Sequence, residues 1–238
     1  MRGLSAVFPA RLFAANVLFT LMAYVALVVV AAIIAVAIGL FGDLGASVWE
    51  QAIQASRWFV LVIGTVVVRT YLPVYVANGR TRREFFVHAA VFLFAFAPVA
   101  TVLIMLGYLM ETGLYGLGGW PRELSDRHLF GDLGQVPLVF AEYWSQYLVW
   151  VAVGAMAGAA FYRLYAGGIL LIPVGAALIF SVHAATDLVH ALPVIGRLPV
   201  LGLPATVPVA VGVGLAGFLI AIGLTWAFVR DIPIRNPR

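Results

Sequence analysis

Apolar residues fill this chain in long runs, and polar residues are concentrated in the joints between them. A run of roughly 18 or more mostly apolar residues can cross a bilayer core as a helix. Six such spans are predicted, over about 16–41, 58–76, 86–110, 137–162, 168–188 and 207–229, with ends uncertain by roughly 2–4 residues. No internal repeat, low-complexity tract or long linker separates them. Residues 1–238 therefore read as a single all-α, polytopic transmembrane domain. The first run begins beyond Ala10, is about twice as long as a signal-peptide core and lacks a small-residue cleavage pattern, so it is expected to be a retained span.

The joints carry the local signals. Between the second and third spans lies VANGRTRREFF, Val76 to Phe86. Asn78-Gly79 predicts a turn, and Thr81 followed three positions later by Glu84 is a capping-box pattern. Together they predict a short surface helix presenting Arg80, Arg82 and Arg83 outward, with Phe85 and Phe86 anchoring the next span. The longest joint follows the third span and is centred on Gly113–Gln135. Within it PRELSDRHLFG reads as a second short helix, with Pro121 in its first turn, Gly131 as its stop, and Arg122–Asp126 and Glu123–Arg127 as supporting i,i+4 pairs. The joint between the last two spans is apolar yet holds Pro193, Pro199, Pro204 and Pro208. A broken hairpin dipping into the membrane and covered by protein fits both properties.

Composition then removes whole classes of function. With 64% hydrophobic and 10% charged residues, the chain is not an ordinary soluble domain. It has no cysteine, which excludes disulfides, thiolate metal sites and thiol catalysis. Its 14 basic residues are all arginine. Arginine without lysine, beside abundant Ala, Gly and Val, fits a GC-rich bacterial genome. A pI near 9.7 could signal nucleic acid, but the arginines are dispersed among span flanks, where topology explains them better. With the N-terminus inside, Arg2, Arg11, Arg69, Arg80, Arg82, Arg83, Arg163, Arg230, Arg235 and Arg238 fall on the cytoplasmic side. Arg57, Arg122, Arg127 and Arg197 fall outside. That asymmetry predicts both termini in the cytoplasm of a multi-pass protein of the bacterial inner membrane.

The connector Asn78-Gly79-Arg80-Thr81-Arg82-Arg83-Glu84-Phe85-Phe86 resembles that of the membrane permease subunits of bacterial ABC exporters of the type-2 kind. The small residues before an aromatic–Arg exit in GAMAGAAFYRLYAGG, and the proline-rich segment before the last span, extend the resemblance. The long outer loop departs from it. The resemblance implies six spans, a coupling helix between spans two and three, and docking of that helix on a separate ABC ATPase subunit. On that reading Asn78, Gly79, Arg80, Thr81, Arg82, Arg83 and Phe86 form the coupling surface, and a second permease subunit, identical or homologous, completes the path. ATP and Mg would be held by the partner, and no cofactor is expected on this chain. The absence of lysine agrees, since a phosphate-cradling G-x-x-x-x-G-K-[ST] loop cannot be built from it.

Substrate-path candidates are fewer. Asn16, Thr20 and Tyr24 make an i, i+4, i+8 polar stripe on the first span. In the resembled family the first, second and fifth spans line the path, which makes this stripe a candidate surface, with Arg69 joining it or snorkelling to headgroups. Glu142 enters the fourth span near Ser145 and Gln146; an ionisable residue at that depth is a path candidate, unless it pairs with Arg197 or reaches water. Tyr143, Tyr147, Trp150, Gly154 and Gly158 form a stripe better read as interfacial anchoring and close helix packing than as a ligand wall. His183, Asp187 and His190 share one helix face and could ligate a metal, though helix-end polar residues ordinarily just meet the interface. No H-E-x-x-H occurs, and Ser181 lacks the glycines of a nucleophile elbow, so catalysis by the chain itself is not expected. The rival reading is an ATP-independent carrier or scaffold. A carrier would need a titratable or ion-coordinating cluster near the midplane, and no acidic residue is expected there. An intramembrane enzyme is the lesser alternative.

Overall fold

The computed structural model describes residues 3–42, 44–186 and 204–231. Six α-helices form one bundle: α1 (Gly3–Phe41), α2 (Val48–Ala77), α3 (Arg82–Gly118), α4 (Val136–Leu164), α5 (Ile172–Ala185) and α6 (Val207–Val229). A 3-10 segment, Tyr165–Leu171, joins α4 to α5. Each of the six chain segments contains a helix long and apolar enough to cross a membrane, which makes this a multi-pass membrane protein. Among the described residues the sole β pairing is an isolated bridge between Ala46 and Glu123.

The helix ends follow local chemistry. The Ser47 hydroxyl accepts the Glu50 amide at 3.1 Å and so caps α2. Thr81 and Glu84 form the predicted capping box, each side chain accepting the other's backbone amide at 3.1 Å. Gly79 supplies the turn at φ +73°, a conformation that strains any residue carrying a Cβ. Gly119, at φ +65°, closes α3.

α4 is the axis of the bundle. Of its most apolar window 72% is buried, against 17% for α1. It packs between α2 and α6 and touches α3 and α5 as well. Backbone contact makes this possible: a Cβ on Gly154 would run into the Leu61 carbonyl, and one on Gly64 into that of Val151. Thr65 donates to the Gly154 carbonyl at 2.9 Å across the same seam. The Gly154–Gly158 stripe is therefore a packing seam, as its spacing suggests.

Three expectations need correction. The second span starts at Val48 rather than Trp58, and the third runs on to Gly118 rather than stopping near Met110. No separate surface helix precedes the third span; the capped turn is the beginning of α3 itself, which is continuous from Arg82. The segment from Pro121 to Gly131 is an irregular loop, not a helix. Its predicted pairs do not form: Arg122 instead donates to Thr112, and the amides of Ser125 and Asp126 are drawn to a buried carboxylate. A charged, buried acceptor outcompetes the carbonyl four residues back. The predicted proline-rich hairpin, Arg197, Asp187 and His190 lie mostly or wholly outside the described residues.

Candidate functional site

The bundle has two chemically different ends. One carries the connector 78–81 and the C-termini of α2, α4 and α6; the other carries the loop 119–135 and the N-termini of α2, α4 and α6. Arg69, Arg80, Arg82, Arg83, Arg163 and Arg230 belong with Glu84 and Asp231 to the half at the first end, and Glu50, Glu111, Glu123, Asp126, Asp132 and Glu142 belong with Arg57, Arg122 and Arg127 to the half at the second.

At the arginine end the connector is rigid. Asn78 donates its side-chain amide to the Val74 carbonyl at 2.7 Å, and its backbone amide caps the same turn. Arg80 donates its backbone amide to Tyr75 at 3.0 Å, and its guanidinium lies 4.0 Å from Glu84. The three arginines point differently. Arg83 is exposed and Arg80 half-exposed, whereas Arg82 turns back and donates to the Arg230 carbonyl at 3.2 Å, satisfying the last turn of α6. Arg163 does the same for Ala227 at 3.1 Å. Phe85 is buried against Tyr75, and Phe86 packs on Trp226 with ring centroids 4.9 Å apart. Phe86 and Arg82 thus serve the bundle, leaving Arg80, Arg83 and the turn as the outward surface.

The opposite end holds a site that sequence reading caught only in part. His128, in the loop, lies between two buried carboxylates from different helices. Its Nδ1 is 2.7 Å from Glu142 of α4 and its Nε2 3.1 Å from Glu50 of α2. Glu50 also accepts the amides of Ser125 (2.7 Å) and Asp126 (2.8 Å), and Glu142 accepts that of Leu129 (2.8 Å). An imidazole donating through both nitrogens is an imidazolium. Burial opposes its charge, but the hydrogen bonds and charges of Glu142 and Glu50 prevail and raise its pKa to about 9. Burial and the Glu50 charge push Asp126 upward in the same loop. A third carboxylate, Glu111 of α3, accepts the Ser47 hydroxyl and the Trp49 amide, both at 2.7 Å, and so holds the start of α2.

Below this latch a polar ladder descends along α4. Tyr143 meets Tyr108 at 2.7 Å, Tyr147 meets Ser56, and the Trp150 indole donates to His183 Nε2 at 3.1 Å. Gln146 donates to Thr186 at 3.3 Å. Asn16, Thr20 and Tyr24 are buried, the Thr20 hydroxyl donating to the Asn16 carbonyl at 2.7 Å. Tyr24 sits beside the Tyr147–Ser56 pair, with its own hydroxyl outside hydrogen-bonding geometry. The stripe therefore faces packed protein within this chain rather than an open cavity. Arg69 is exposed. Glu142 pairs with His128; Arg197, the partner considered for it, lies outside the described residues.

Glu50, Glu111 and His128 were missed as site residues. The spacing Ser47-x-x-Glu50 is the signal that could have extended α2 to its true start and drawn in Glu50. Among the described residues no group of three or more His, Asp or Glu side chains is arranged to hold a metal. The fold and its two ends define a six-helix polytopic membrane protein. No family model, curated protein or solved structure matches the chain.

Proposed function

We propose that this chain is the permease subunit of a bacterial ATP-driven exporter of the ABC type-2 kind, seated in the inner membrane with the arginine end in the cytoplasm. The observation that carries the reading is the connector 78–81. It is a fixed turn, held by Gly79 at φ +73° and a complete capping box, that presents Arg80 and Arg83 at the end of the bundle. Charge placement for topology alone requires arginines but not a rigid, capped mount. The first turn of α3 would act as the coupling element, passing the closure of a separate ATPase pair directly into a helix that packs on α4, α2 and α1. A second permease subunit would complete the path, and the apolar face of α1, with Leu18, Phe19, Met22 and Val25 exposed, is open to lipid or to that subunit.

The one observation that bears on the carrier reading is the titratable Glu50–His128–Glu142 cluster, which lies at the loop end of the bundle rather than midway along it. Its carboxylates are already occupied by loop amides, which favours a structural latch over a transport site. Reconstitution separates the readings. Purified alone, the chain is expected to turn over no ATP and to need a co-expressed ATPase for transport. Uptake or efflux driven by a proton gradient in vesicles holding this chain alone would establish the carrier instead.

A further inference from the structure

On the flank between α3 and α4, towards the loop end, lies a cleft of about 700 Å³. Ligand sites run from roughly 300 to 1,000 Å³, so this one has room for a ligand. Its walls are apolar, with Val102, Leu106 and Leu109 from α3 and Val136 and Phe140 from α4. All of these except Phe140 are exposed. Towards the loop the lining turns polar: Thr112 of α3, Arg122 of the loop and Asp132 of the turn before α4 face the same space. From Val102 to Thr112 the α3 wall rises about 15 Å, at about 1.5 Å per residue. That is about half of a hydrocarbon core roughly 30 Å thick. The cleft is thus about one leaflet deep, apolar along the acyl-chain region and charged at the headgroup end.

The two charges are fixed by their neighbours. The Thr112 hydroxyl donates to the Tyr108 carbonyl at 2.7 Å and accepts from Arg122 Nη1, which holds the guanidinium against the end of the α3 wall. A guanidinium carries further N–H donors, so the bond to Thr112 leaves it able to grip an oxyanion. Asp132 Oδ1 accepts the Gly134 amide at 2.6 Å, and the Asp132 carbonyl accepts the Gln135 amide at 3.1 Å. Arg122 and Asp132 line one cleft yet form no ion pair with each other. Opposite charges that share a cleft without neutralising one another suit a ligand that brings one charge of each sign.

We infer that this cleft binds a phospholipid with a primary-ammonium headgroup, phosphatidylethanolamine. Its phosphate sits on Arg122, its ammonium on Asp132, and an acyl chain lies along the α3–α4 walls. A guanidinium binds phosphate through charge-assisted bonds that can be two-pronged. A primary ammonium donates N–H bonds to a carboxylate, whereas the quaternary ammonium of phosphatidylcholine has no N–H to donate. An anionic headgroup lacking an ammonium satisfies Arg122 but sets its charge beside that of Asp132. The inference stands apart from the permease reading, since it needs neither an ATPase nor transport.

The test is lipid binding to the delipidated full chain in detergent, read by native mass spectrometry. Phosphatidylethanolamine, phosphatidylcholine and phosphatidylglycerol with identical acyl chains are titrated separately. Saturable uptake of one phosphatidylethanolamine is expected, roughly tenfold tighter than phosphatidylcholine, the worth of one charge-assisted hydrogen bond. Asp132→Asn brings phosphatidylethanolamine down to the level of phosphatidylcholine, and Arg122→Gln weakens both. Equal affinity for these two lipids in the wild-type chain overturns the inference. So does uptake of many lipids without saturation whatever their headgroup, which would mean annular lipid only. A preference for phosphatidylglycerol, or an undiminished preference for phosphatidylethanolamine in folded Asp132→Asn, overturns it as well. The comparison of lipids on the wild-type chain decides the matter even if a variant fails to fold.

Discussion

Raising the pH from about 6 to about 10 removes the proton that His128 shares with Glu50 and Glu142, and the loop 119–135 loses its central clamp. An ordinary imidazole releases its proton near 6.5, whereas burial and the two carboxylates together place that of His128 at about 9. At about 1.36 kcal/mol per pH unit, the difference between these values is worth about 3 kcal/mol of loop closure. The sign follows from the raised pKa. The stabilisation is complete below about 6.5, declines above it, and is gone once the pH passes about 9. Hydrogen exchange of the 119–135 segment, corrected for the intrinsic pH dependence of exchange, reads this directly. The amides of Ser125, Asp126 and Leu129 are expected to lose protection by roughly a hundredfold across that window. His128→Gln removes the slope and opens the loop at every pH, and Glu142→Gln shifts the transition to lower pH by withdrawing one of the two charges. Constant protection from about 6.5 to 9 in the wild-type chain, or an unchanged slope in His128→Gln, would refute the imidazolium clamp.

Two further substitutions probe what holds the helices. Gly154→Ala drives a methyl into the Leu61 carbonyl and is expected to destabilise the bundle by about 1–3 kcal/mol. Gly212→Ala, whose Cβ meets nothing within 4 Å, changes thermal stability in detergent far less. Glu111→Ala strands the Ser47 hydroxyl and the Trp49 amide and costs about 1–3 kcal/mol, seen as a lower unfolding midpoint. Glu111→Gln, which keeps an acceptor, costs less.

What the sequence disclosed was local. Thr81 and Glu84 announce their capping box because both partners lie within one helical turn, and the Gly79 turn likewise needs only its own neighbours. The six spans are legible because hydrophobicity alone sets them. The start of α2 was hidden because Glu50, Gln51, Gln54, Ser56 and Arg57 look like a polar joint. Part of their polarity is answered from far along the chain, by Ser125 and Asp126 for Glu50 and by Tyr147 for Ser56. The same long-range pull unmade the helix expected over 121–131, where backbone amides close on Glu50 and Glu142 rather than on their own carbonyls. Glu142 stood out by its depth, but its partner His128 sits in a loop whose path no short-range pattern fixes. Arg82 was expected to point outward from a capped surface helix, and the resemblance put Phe86 on the coupling surface; the fold turns both onto α6 instead.

The central claim is that the turn and first residues of α3 transmit force from an ATPase. It is tested most directly in a reconstituted complex of this chain with the proposed ATPase partner, measuring ATP hydrolysis and transport together for Arg83→Gln and Gly79→Pro. Arg83 is exposed and bonded to nothing described, so its loss spares the fold; proline at 79 removes the amide that bonds Val76 at 2.9 Å and cannot adopt φ +73°. Both variants are expected to insert and fold, with Arg83→Gln weakening ATPase binding and Gly79→Pro leaving hydrolysis uncoupled from transport. Wild-type assembly, hydrolysis and transport in both variants would contradict the claim and return the connector to a role in topology alone.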